Sequence, residues 1–130
     1  MVDFGKYNVK TLANEGMEFH FKDIIADEDI PTKFVVYGSD SDNIRKARKE
    51  FNAVTDNDKA TDTKKEEAMR RFLVACIKSW DDSKENGLAW NDEIVKSGEK
   101  GPLMELLEAC PQFQGQLSEF ITDRTNFLAD

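Results

Sequence analysis

The hydrophobic pattern changes period once along the chain, near Ser39. Before that point apolar residues alternate with polar ones; after it they recur at helical spacing. Alternation puts successive side chains on opposite faces of a strand, whereas the longer spacing puts them on one stripe of a helix. The sequence therefore predicts an α+β fold, mostly α, in which a small N-terminal antiparallel β-hairpin or three-stranded sheet packs on about four helices. A lone hairpin is marginal in water, so such a sheet needs helices to cover it.

In the first part, Met17, Phe19 and Phe21 fall on one side of a strand, with Glu18 and His20 on the other. Residues 27–31 are a polar turn ending in Pro31, which has no backbone N–H to donate. Residues 32–37 are rich in β-branched and aromatic side chains, as strands are. These two segments are expected to pair as antiparallel neighbours, and residues 7–12 to add a third strand. Gly38 closes the last strand, and Ser39-Asp40-Ser41-Asp42 supplies N-cap side chains for a first helix over 42–54, with Ile44, Ala47, Phe51 and Val54 on one stripe.

Past a polar break, Thr63 with Glu66 reads as a capping box. It opens a second helix running to about Trp80, with Met69, Phe72, Leu73, Cys76, Ile77 and Trp80 on its buried face. Residues 81–88 form a loop with an Asn86-Gly87 turn. Leu88, Trp90 and Ile94 then make an apolar cluster of no regular period. Pro102 suits the first turn of a third helix over 103–110, and Pro111 ends it. The last helix starts near Phe113 and carries Phe113, Leu117, Phe120, Ile121, Arg124, Phe127 and Leu128 at helical spacing. At 130 residues the chain is expected to form one domain over 1–130, with a β-rich part at 1–38 and a helical part at 39–130.

Little in the chain suggests catalysis. Nucleophilic chemistry needs a nucleophile held beside a base, and the one histidine, His20, reads as a sheet-surface residue. The glycines are scattered, so no phosphate-binding loop, dinucleotide fingerprint or nucleophile elbow is formed. Asp56-Asn57-Asp58 starts like a calcium loop but has Ala60 at its fifth position and no glycine at its sixth. Cys76 and Cys110 lie within apolar helical patterns and read as buried thiols. The chain is thus read as a non-enzyme without cofactor or metal.

A net charge of −8 opposes binding to nucleic acid or to an anionic membrane and suits a basic partner. The bases at Arg45, Lys46, Arg48 and Lys49 sit among acids on an exposed helix side. The N-terminus lacks the regions of a signal peptide, and the longest apolar run, 72–77, is too short to span a bilayer. A cytoplasmic protein is expected.

One arrangement is more specific. An apolar helix ends in tryptophan at Phe72-Leu-Val-Ala-Cys-Ile-Lys-Ser-Trp80, followed by the acidic Asp81-Asp82. Then come Asn86-Gly87-Leu88-Ala89-Trp90-Asn91, the leucine-rich Leu103-Met-Glu-Leu-Leu107, Cys110-Pro111 and an amphipathic segment over 117–128. Upstream, Val36-Tyr37-Gly38-Ser39-Asp40-Ser41 leads into a charged helix with Arg45, Lys46 and Ala47. Over most of its length the chain resembles the tail assembly chaperones of long-tailed bacteriophages; Trp90 stands where a phenylalanine or similar apolar residue is expected.

The resemblance implies an α+β, mostly helical fold. It also implies a non-structural protein of the host cell cytoplasm, absent from the mature virion. Such a protein binds and solubilises the tape measure protein and promotes polymerisation of the tail tube protein around it, and self-association into rings or spirals fits the family. Leu88, Trp90, Ile94, Phe127 and Leu128 are the candidate partner-binding residues, being apolar and either outside the strongest stripes or near the chain end. Two other readings compete: a structural phage neck or tail-completion protein, and an acidic regulatory or inhibitor protein.

Overall fold

The computed structural model describes residues 1–128. A 3-10 turn, Phe4–Tyr7, leads into α1 (Lys10–Glu15) and β1 (Met17–Phe19). Two short strands, β2 (Lys22–Asp23) and β3 (Glu28–Asp29), precede β4 (Phe34–Val36). Next come α2 (Asp42–Thr55), α3 (Asp62–Ala75) and β5 (Ile77–Trp80). A second short hairpin, β6 (Ala89–Trp90) and β7 (Glu93–Ile94), is followed by α4 (Lys100–Ala109), α5 (Pro111–Thr122) and a 3-10 turn, Arg124–Phe127. The fold is α+β and mostly α.

The main sheet has the order β1-β4-β5. β1 and β4 pair antiparallel, Met17 opposite Val36 and Phe19 opposite Phe34, as their alternation predicts. The third strand differs from expectation. Residues 7–12 form the first 3-10 turn and the start of α1, and the sheet is completed by β5, which the sequence places at the end of a helix. The reason is a register shift between Val35 and Val36 where β4 meets β5. Such an irregularity takes a strand out of strict alternation, and Ile77 and Trp80, three positions apart, are both buried. Three-residue spacing is the signature of a helix, so β5 is disguised as the tail of α3.

The buried sheet face carries Phe19, Phe34, Val36, Ile77 and Trp80, and packs in one cluster with Leu73 and Val74 of α3, Leu103 and Leu107 of α4, and Leu117 and Ile121 of α5. Phe21, just past β1, bridges these layers, with its ring centroid 5.0 Å from Phe34 and 4.8 Å from Phe113. The helix starts follow local chemistry. Ser41, fully buried, accepts the Ile44 N–H at 3.1 Å and caps α2. Thr61, two residues ahead of the expected Thr63, caps α3 by accepting the Lys64 N–H at 3.2 Å. α4 starts before Pro102 rather than at Leu103, and Pro111 opens α5 as its first residue.

The last helix also ends early, at Thr122 rather than Leu128. Asp123 accepts hydrogen bonds from the Thr125 N–H at 3.0 Å and its hydroxyl at 2.6 Å, which sets up the final 3-10 turn. That turn carries Phe127 back into the core. No helix among the described residues is long and apolar enough to cross a membrane.

Candidate partner-binding surfaces

The β6–β7 hairpin closes through Asn91 and Asp92, whose φ angles of 53° and 66° are those of a two-residue turn that follows strand twist. Leu88 and Val95 flank it and are both buried, with the Val95 N–H donating to the Leu88 carbonyl at 2.8 Å. The Trp80 indole donates to the Val95 carbonyl, also at 2.8 Å, and so ties the hairpin to the core. Trp90 stands opposite Glu93, and Ala89 opposite Ile94. Cross-strand partners share a face, so Trp90 and Ile94 lie on opposite faces. Trp90 is half-buried against the core and Ile94 is exposed. The Trp90 Nε1 has no hydrogen-bond partner. Glu93, Glu99 and Glu105 surround this patch.

The five expected contact residues therefore separate. Trp90 and Ile94 stay at the surface, and Leu128 is half-buried. Leu88 and Phe127 are corrected to core residues, at 8% and 1% exposure. Leu88 is drawn in by the loop that brings its N–H to the Asp81 carbonyl, and Phe127 by the closing 3-10 turn. Trp80 and Ile121 are buried as expected, and Phe113 and Phe120 pack partly buried against the core.

A second surface escapes sequence reasoning. The β2–β3 turn holds Ile24 and Ile25 in solvent, at 66% and 94% exposure. Asp23 Oδ1 accepts the N–H groups of Ile25 and Ala26 at 2.9 and 3.1 Å, and Lys22 pairs with Asp27 at 2.8 Å. Each isoleucine forgoes about 1.5–3 kcal/mol that burial would supply. The available signal was a pair of adjacent aliphatic residues belonging to neither the strand period nor the helix period. Beside the turn, a groove against α5 is floored by Phe19, Ile24 and Phe120.

A third surface lies between α2 and α3, where the tilted Phe51 and Phe72 rings meet at 5.7 Å between centroids beside Ala47, Val54 and Ala75. Phe51 and Val54 of the expected α2 stripe are only partly buried there. The 42–75 segment holds nine Lys or Arg against seven Asp or Glu, a net of +2, leaving −10 on the rest of the chain. Acids and bases are thus unevenly shared between the two parts.

His20 sits half-buried at the sheet margin, Nδ1 3.1 Å from the Ile30 carbonyl and Nε2 3.4 Å from Glu18. Burial pushes the Cys76 thiol up to about 12, away from nucleophilic use. Cys110 is half-buried rather than buried. Among the described residues no three His, Cys, Asp or Glu side chains are placed to hold a metal ion. The arrangement offers apolar side chains and carboxylates for contact. Compared with known proteins, the chain matches no family model, no curated protein and no solved structure.

Proposed function

We propose that this chain is a tail assembly chaperone of a long-tailed bacteriophage, which keeps the tape measure protein dispersed and promotes tail tube polymerisation around it. The observation that carries the reading is the resemblance, together with the role its residues take in the fold. Phe72, Trp80, Leu88, Leu103, Leu107 and Leu117 belong to one packed cluster or lie against it. The residues that carry the resemblance are thus core residues spread over separate elements.

The physics of the task supports the reading. A long helical client exposes apolar stripes that associate with one another unless covered. Trp90 and Ile94 supply apolar contact, and the carboxylates around them match a basic client. Many weakly bound copies along one client hold it by avidity, and each is still displaceable by tube subunits. The acidic surplus keeps the coated client dispersed. Self-association into rings or spirals, residence in the host cytoplasm and absence from the virion belong to the same proposal.

Co-expression tests it. The parent chain is expected to keep a tape measure protein in the supernatant. A Trp90→Ala, Ile94→Asp variant that melts as the parent does is expected to lose that activity. A parent that leaves the client insoluble, or that co-purifies with finished virions, overturns the proposal.

A further inference from the structure

We propose that the Ile24–Ile25 turn and the groove it forms with α5 are a docking surface for a basic amphipathic helix of a partner protein. The surface is separate from the Trp90 hairpin. It deepens the chaperone reading by giving the client's chemistry, and it rests on that reading only for the client's identity.

The groove is built rather than incidental. The Gln116 side chain on α5 accepts the Lys22 N–H at 2.7 Å and donates to the Lys22 carbonyl at 3.0 Å. The turn and α5 are therefore held together, and the hollow between them exists before anything enters it. The same clamp restricts the occupant. Both backbone groups of Lys22 are taken by Gln116, so β2 offers that side no free edge for strand addition. An occupant must be read through side chains, and a helix with an apolar row is the form that does this.

Charge sets the sign of the partner. The one lysine lining the groove, Lys22, is already paired with Asp27, and the His20 ring lies against Glu18. Arg124, next to Asp123, is engaged by Asp40. Asp29 and Glu119 line the groove without an ion pair among the described residues. The matching ligand therefore places leucine-like side chains on the hydrophobic floor and Lys or Arg against the acidic rims. A second copy of this chain is a poorer match, since outside the 42–75 segment it carries −10.

Two synthetic helices, one of Leu and Lys and one of Leu and Glu, serve as probes with the full-length protein, read by fluorescence anisotropy at low and high salt. The Leu-Lys helix should bind and weaken with salt, and the Leu-Glu helix should not bind. The double variant Ile24→Asp, Ile25→Asp alters only exposed side chains. It should melt as the parent does and bind the Leu-Lys helix at least about tenfold more weakly. The pair Asp29→Asn, Glu119→Gln should weaken binding and flatten its salt dependence.

Unchanged binding by the isoleucine variant overturns the proposal. So does equal binding of both helices, or a parent oligomer that the isoleucine variant dissociates, which would make the surface a contact between copies. The two readings fail separately. A parent that binds the Leu-Lys helix through Ile24 and Ile25 but leaves a tape measure protein insoluble sinks only the chaperone reading. A parent and isoleucine variant that solubilise that client equally well, without binding the peptide, sink only the docking surface.

Discussion

Gly38 shows how much one hydrogen atom can decide. A Cβ placed there would lie 2.9 Å from the Ala13 Cβ and 2.9 Å from the Phe127 ring. The residue is a glycine because α1 and the closing 3-10 turn meet over it. Gly38→Ala is expected to cost about 1–3 kcal/mol through overpacking, read as a lower urea midpoint with an unchanged slope. Thiol chemistry gives a second test at this scale. Cys76 is buried and its Sγ lies 3.2 Å from the Phe72 carbonyl, whereas Cys110 is partly open. A thiol reagent at mildly alkaline pH should titrate Cys110 in the folded protein and Cys76 only after unfolding. Equal reactivity of both in the native state would contradict this placement. Residue burial was only partly legible beforehand. Ile121 belongs to a regular helical stripe and is buried on it, and Trp80 is buried as its spacing predicts, though on a strand rather than a helix. Leu88 belongs to no stripe, and Phe127 shares the helical spacing but falls past the end of α5, so the burial of each depends on the loop or 3-10 turn that carries it.

Among the elements, the turn ahead of α2 is tied to the last 3-10 turn by one ion pair. Arg124 donates from Nε and Nη2 to the Asp40 carboxylate at 2.8 and 3.0 Å. The Arg124 hydrogen bonds hold the Asp40 carboxyl below its ordinary 3.8. A carboxyl depressed on folding stabilises the protein above its unfolded value, and that contribution is lost as pH falls through the lower folded value. Because Arg124 is largely exposed, solvent screens the pair and keeps its contribution small. Arg124→Gln should lower the melting temperature slightly near neutral pH, and the gap from the parent should close in acid. A gap that persists below the folded titration would mean that Arg124 acts through packing instead. The start of α2 at Ser41 and the end of α4 ahead of Pro111 were readable because caps and prolines act locally, whereas α3, α4 and α5 each start earlier than expected. β5 was not readable, because its identity comes from pairing with β4 across an irregular register.

At the scale of the whole molecule, one cluster joins the sheet to α3, α4 and α5, and Trp80 sits within it. Unfolding is therefore expected to be cooperative, with tryptophan emission and helical circular dichroism changing at the same denaturant concentration. Separated transitions would show that the β-rich and helical parts fold independently. The change of period near Ser39 and the capping residues set the class of fold and where α2 begins, since each acts through neighbours in sequence. Tertiary structure alone decided which segment completed the sheet and which apolar residues remained outside. A side chain at the surface is one that no distant element has covered, and that is settled only when the elements pack. This is why Ile24 and Ile25, unremarkable in the sequence, end in solvent beside α5, while Phe127 ends in the core.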